Sequence, residues 1–114
     1  MSVYDGLMVY DASDLDIDHM VPLAEAWRSG ASRWTEARRT AFANDLKNPS
    51  TLLAVTASSN RSKQDRDPSR WRPQVSEWCS YAHAWISVKV EWSLSADPAE
   101  EQSLVEMLRT CPSS

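Results

Sequence analysis

The chain has 114 residues, 42% of them apolar and 25% charged, and a formal net charge of -4. That is enough for one compact domain with a core and too little for two, and the apolar fraction excludes a disordered or fibrous chain. With only Gly6 and Gly30 as glycines, the glycine-rich loops that cradle nucleotide phosphates are excluded, and the acidic balance excludes a uniformly basic nucleic-acid binder.

In chain order, GLMVYDASDLDIDHMVP alternates in part and predicts short strands near residues 7–10 and 16–20. Pro22 suits the first turn of a helix over 22–29, which Gly30 stops. A second helix begins after residues 32–35 and runs through TEARRTAFANDLK, with Ala37, Ala41 and either Phe42 or Leu46 on its apolar stripe, until Asn48 and Pro49 end it. TLLAVT, residues 51–56, is a β-branched apolar run bounded by turn residues and reads as a buried strand. SSNRSKQD has the composition of a helix start, with Ser58 or Ser59 as N-cap, and DRDPSRWRPQ is a polar loop punctuated by Pro68 and Pro73. A long helix over about 76–92 carries Trp78, Tyr81, Ala82, Trp85, Val88 and Trp92 at helical spacing. Asp97 and Pro98 then open a last helix as N-cap and first helical residue. Tryptophans at 71, 78, 85 and 92 are seven apart, which reads as one helix face packed into the core in preference to an aromatic binding platform.

No apolar run approaches bilayer length, and MSVYDGLMVYDA lacks the basic start and apolar stretch of a signal peptide, so the chain as given reads as soluble and untargeted, with no membrane partner. Cys79 and Cys111 fall in the last two predicted helices, where a single disulfide is geometrically possible and two reduced buried thiols are the alternative. The compartment follows from that choice: secreted if the disulfide exists and a leader has been trimmed, otherwise cytoplasmic. Cys79 and His83, four apart on one helix face with Cys111 in reach, could also form a zinc site, but the paired short loops of structural zinc modules are missing and a partly buried histidine is the simpler reading.

The chemistry concentrates in two stretches. His19 directly follows Asp18 at the end of the first strand segment, and Asn60 opens the helix that follows the second strand. A strand pair followed by a helix can bring the Asp18 carboxylate and the Asn60 amide oxygen to one metal ion, while strand alternation turns His19 to the other side of the backbone. A hard cation held by oxygen ligands keeps positions open for a phosphate, which favours Mg²⁺ or Mn²⁺ over zinc, and a neutral histidine can take a proton from water near neutral pH. Asp16 shares the strand face of Asp18 and is a candidate for the outer shell, against a plain solvated acid. Glu25 could reach back from the short helix, against a plain helix-surface charge. From residue 61 to 72 the chain carries Arg61, Lys63, Arg66, Arg70 and Arg72 against Asp65 and Asp67, a basic island on an acidic body.

DIDHMVPLAEAW, followed about 30 residues later by NPSTLLAVTASSNRSKQDRDP, resembles the HNH endonuclease family, the ββα-metal nucleases, and is closest to small bacterial HNH proteins related to the GmrSD-type nuclease domain. The resemblance spans residues 4–111, including WRP, WCSYA and the final cysteine, and the HNH module of RNA-guided CRISPR nucleases has similar Asp-His and Asn-Arg-x-Lys stretches. It implies an α+β fold over residues 1–114: a ββα-metal core with a short β-hairpin over about 14–67, additional packed helices, and a helix-rich C-terminal part over about 74–111. It implies that His19 is the general base, that Asp18 and Asn60 bind Mg²⁺ or Mn²⁺, and that Arg61, Lys63 and Arg66 meet the phosphate backbone of DNA in preference to RNA. The imidazole is expected to be oriented by a backbone carbonyl or an amide near the second strand. Two positions depart from the family pattern: Thr51 stands where the middle Asn usually sits, with Asn48 three residues earlier, and Gln64 stands where Gly often follows the lysine. The expected activity is metal-dependent phosphodiester hydrolysis by a monomer; the alternative is a non-catalytic nucleic-acid-binding or interaction module on the same scaffold.

Overall fold

A computed structural model describes residues 2, 4–8 and 12–112. Among them the order is a 3-10 turn at Ala12–Asp14, β1 (Leu15–His19), α1 (Leu23–Arg28), α2 (Glu36–Ala43), β2 (Leu52–Thr56), α3 (Ala57–Lys63), α4 (Trp78–Glu91) and α5 (Pro98–Leu108), with further 3-10 turns at Ala31–Arg33 and Val75–Glu77. The fold is α+β: the strands form an antiparallel two-stranded sheet in which Asp18 faces Leu53 and Asp16 faces Val55. Both helices of the first half lie between the strands, as the sequence predicts, so the antiparallel pair is joined by a long helical insertion. Of the strand expected at 7–10, Leu7 and Met8 lie outside any strand and residues 9–10 lie outside the described residues.

Local chemistry accounts for the element ends. Gly30 holds φ +138°, a conformation open to glycine, and turns the chain out of α1. Thr35 caps α2 by accepting from the Arg38 N–H at 3.2 Å. That helix stops at Ala43, short of the expected Lys47, because Asp45 Oδ1 accepts from the Lys47 and Asn48 N–H groups at 2.9 and 3.4 Å and folds the chain into a turn. Leu46 is left 84% exposed, and Phe42 is the apolar residue that enters the core. Neither Ser58 nor Ser59 caps α3, which starts directly from the strand; instead Ser59 and Thr56 both donate to Asp5 Oδ2, tying the chain start to the strand–helix junction. Asp97 caps α5 as expected, accepting from the Glu100 N–H at 2.8 Å with Pro98 in the first turn.

The core runs continuously from the sheet into the helices: Tyr4, Met20, Val21, Phe42, Val55, Tyr81, Trp85, Val88 and Met107 are all buried. Trp85 is fully enclosed, while Trp71, Trp78 and Trp92 are half-buried against the same core. The tryptophan spacing is therefore a packing signal; each such side chain is worth about 1.5–3 kcal/mol or more when withdrawn from water. Cys79 and Cys111 form a disulfide that clasps the end of α5 to the start of α4. With both sulfurs bonded to each other, the zinc alternative loses its thiolates, and His83 is exposed.

Candidate active site

Two short ladders of side chains face each other across the seam between β1 and α3. Strand alternation places Asp16 and Asp18 on one face, and the i, i+3 spacing places Asn60 and Lys63 one turn apart on the helix. The rungs match: Asn60 Nδ2 donates to Asp16 Oδ2 at 2.9 Å, and Lys63 Nζ donates to Asp18 Oδ2 at 2.6 Å. Asp16 thus meets Asn60 directly, and Asp18 meets Lys63, where the sequence led us to expect Asp18 and Asn60 together with Asp16 behind them.

Lys63 requires the largest correction. Its side chain is fully buried, and its three donors go to Asp18 and to the carbonyls of His19 and Met20, both at 2.8 Å. A phosphate backbone has no access to it. Burial pulls the ammonium below the ordinary lysine range, while the Asp18 carboxylate pulls the other way. Tyr4 completes the arrangement by donating its hydroxyl to the same Asp18 oxygen at 2.6 Å; burial, then the neighbouring Tyr81 and Asp18, push the phenol far up, so it stays protonated. Among the described residues both side-chain bonds to Asp18 fall on Oδ2, so Oδ1 is the oxygen for a ligand. Arg61 and Arg66, unlike Lys63, are exposed.

His19 projects to the other side of β1 and places Nε2 2.9 Å from the carbonyl oxygen of Ala43. A carbonyl only accepts, so Nε2 carries the proton and Nδ1 presents its lone pair. The carbonyl is free for this because it lies in the last turn of α2, where the helix has no further N–H to offer it. Phe42, the preceding residue, stacks on the imidazole at 6.3 Å between ring centres. Thr51 supports the same corner: it is fully buried, its hydroxyl donates to Asp45 Oδ2 at 2.9 Å, and its carbonyl accepts from Met20 N at 2.9 Å, just past His19. Trp92 Nε1 also donates to Asp45 Oδ2, at 3.2 Å. Burial pushes the Asp45 carboxyl up, but the Lys47 N–H, the Thr51 hydroxyl, the Asn48 N–H and the Trp92 indole together outweigh it and hold the group below the ordinary range.

Glu25 is neither near this site nor a surface charge. It is buried in α1 and pairs with Arg28 at 3.3 Å and Lys89 at 3.2 Å, not with any residue of the seam. Sequence reasoning also passed over three contributors. Ala43 acts through a carbonyl, which its side chain does not advertise; Tyr4 sits in a stretch without periodicity; Asp45, before Lys47, Asn48 and Pro49, had a readable turn signature but no sign that its other oxygen would hold Thr51.

Fold and seam define a small disulfide-bonded α+β domain whose polar site lies between a strand end and the following helix. The family described as GmrSD restriction endonucleases, C-terminal domain, matches residues 4–107, and the chain belongs to that family. The chain is 50% identical over 111 residues to a protein of Arthroderma benhamiae described as an uncharacterized secreted protein, covering 96% of this chain and 54% of that one. It therefore spans about half the length of the curated relative it matches. No solved structure matches it.

Proposed function

We propose that this chain is a metal-dependent endonuclease domain that hydrolyses phosphodiester bonds of DNA, with β1, β2 and α3 as its ββα-metal core. The observation that carries the reading is the hydrogen bond from His19 Nε2 to the Ala43 carbonyl, which fixes the tautomer that leaves Nδ1 as a base. A surface histidine without such a partner would offer either nitrogen and no fixed direction.

The residues around the seam fit a hard divalent ion such as Mg²⁺ or Mn²⁺. Asp18 Oδ1, the Asp16 carboxylate and the Asn60 amide oxygen would supply an all-oxygen donor set, and the Asn60 amide nitrogen is already committed to Asp16, so its oxygen is the end left to bind. When bound, the ion supplies positive charge to the scissile phosphate and the departing 3′ oxygen. His19 takes a proton from the attacking water at Nδ1, with the positive charge that develops on the ring shared with the Ala43 carbonyl. Lys63 holds Asp18 and the carbonyls of His19 and Met20 in place, which fixes the strand end that carries the base. Arg61 and Arg66, exposed on and just after α3, meet backbone phosphates, a contact that is salt-sensitive and weak in sequence preference. The disulfide and the secreted relative support a location outside the cytoplasm, and among the described residues no helix is long and apolar enough to cross a membrane.

One observation favours the rival reading, a nucleic-acid-binding module without catalysis: the Lys63 ammonium already neutralises Asp18 at 2.6 Å. Nicking of supercoiled plasmid separates the two. With Mg²⁺ the protein is expected to nick; chelator and His19→Ala should each lower the rate by at least about 100-fold, the scale of a lost general base. Nicking unchanged by either treatment overturns the assignment, and plasmid binding without nicking establishes the module.

A further inference from the structure

Away from the seam, three carboxylates converge beneath the helices. Glu25 on α1, Asp67 in the loop after α3 and Glu100 on α5 are each buried, and one carboxylate oxygen from each lies within 4.8 Å of the other two. Like charges so close repel, and repulsion grows as water is withdrawn. The positive charge the chain supplies is only partial compensation. Lys89, buried on α4, donates to Glu25 Oε1 at 3.2 Å and lies 2.7 Å from Glu100 Oε2. Arg28 touches Glu25 at 3.3 Å, but it also binds the Asp65 carboxylate at 3.1 Å and is half exposed, so Asp65 balances it. Fully ionised, the three carboxylates set three negative charges against the Lys89 ammonium, a deficit of two, and without a further cation burial lifts the Glu100 carboxyl above its ordinary range.

A second observation points into the same place. Glu100 is fully buried, and while its Oε2 also accepts from the Trp85 indole at 2.8 Å, its Oε1 has no hydrogen-bond partner. A buried carboxylate oxygen without a donor costs about 1–3 kcal/mol or more, so something ordinarily satisfies it. The cluster is also accessible: a cavity of about 300 Å³ is lined by Glu25, Asp67 and Glu100 and opens past the exposed side chains of Arg66 and Arg70.

We infer that Glu25, Asp67 and Glu100 form a calcium site, separate from the seam between β1 and α3, that joins α1, the loop after α3 and α5. A divalent cation cancels the charge deficit and gives Glu100 Oε1 its missing partner. Calcium suits the site better than magnesium because it accepts irregular oxygen shells completed by water, whereas magnesium demands a near-octahedral one. Lys89 and the two arginines at the mouth weaken the attraction, which places the affinity at about 0.1–1 mM, the range of extracellular calcium modules. Bound there, calcium ties the half of the chain that carries the strands to the α4–α5 pair.

The test uses the full disulfide-bonded chain in chelator and in millimolar Ca²⁺. Calcium is expected to raise Tm by about 5 °C in the wild type, and the shift should vanish in Glu100→Gln or Asp67→Asn and persist in Asp16→Asn, which alters the other site. Tb³⁺ provides a second readout, since the Trp85 indole beside Glu100 should sensitise its emission and Ca²⁺ should displace it. Glu100→Gln keeps the side-chain shape and removes one buried charge, so in chelator its Tm should equal or exceed that of the wild type; if it fails to fold, Asp67→Asn decides. No shift in the wild type, a shift retained in the Glu100 and Asp67 variants, or one abolished by Asp16→Asn overturns the site. None of these outcomes depends on nuclease activity.

Discussion

Gln64 ends α3 at φ +52° and ψ -134°, a region that a side chain with a Cβ enters at a cost of about 1–3 kcal/mol. The reason it stays there is next to it: the Lys63 side chain must run inward to Asp18 while the backbone turns outward to Asp65, whose carbonyl and carboxylate hold Arg28. Glycine at this position is one of the features of the HNH pattern from which this chain departs, and the backbone shows why glycine suits it. Gln64→Gly is accordingly expected to stabilise the protein by about 1 kcal/mol in urea unfolding, the relief of strain exceeding the added freedom of the unfolded chain. A loss of stability would mean that the Gln64 side chain, which is exposed, contributes more than its backbone costs.

Asp45 performs at the level of elements what Lys63 performs at the level of residues. It sits past the end of α2, ties the turn into β2 through Thr51, and reaches Trp92 at the end of α4. Its folded-state pKa is held below the unfolded value of 3.8, so the stability it contributes is fully present above that value and is lost as pH falls through the folded pKa. Asp45→Asn should therefore cost about 1–3 kcal/mol near neutrality, and the gap between wild type and variant should close on acidification below the ordinary carboxylate range. Urea unfolding at a series of pH values measures both; a gap independent of pH would assign the effect to shape and not to charge. The elements themselves were legible wherever one local rule acted: the Asp97–Pro98 helix start, the Gly30 stop, the TLLAVT strand and the helical tryptophan spacing all follow from short-range chemistry. The seam was half legible. Asp18, His19 and Asn60 stood out as residue types, but which carboxylate meets which helix residue depends on how β1 and α3 are registered against each other. That register is a tertiary fact, and it sent Lys63 inward, just as the packing of α1 against α4 took Glu25 to Lys89.

At the scale of the molecule, two kinds of cross-link hold α4 to α5, the Lys89–Glu100 ion pair and the covalent bond between Cys79 and Cys111, while Lys89 also ties the pair to Glu25 on α1. The disulfide joins positions 32 residues apart, closing a loop that contains nearly all of α4 and α5. In the chain-entropy account a loop of that length restricts the unfolded chain by about 3–4 kcal/mol. The folded arrangement of α4 on α5 does not depend on the bond alone, because Trp85, Val88, Leu104 and Met107 bury their side chains in the same core. Reduction should leave the fold intact but easier to melt: Tm is expected to drop by about 10–25 °C in the presence of reductant, with the same drop for a Cys79→Ser/Cys111→Ser double variant. His19 rests on the Ala43 carbonyl and on Phe42 and not on α5, so nicking activity at temperatures well below the lowered Tm should survive reduction. Thiol labelling with and without reductant gives the control; an unreduced protein that labels at both cysteines, or a Tm indifferent to reductant, would remove the disulfide from the account of stability.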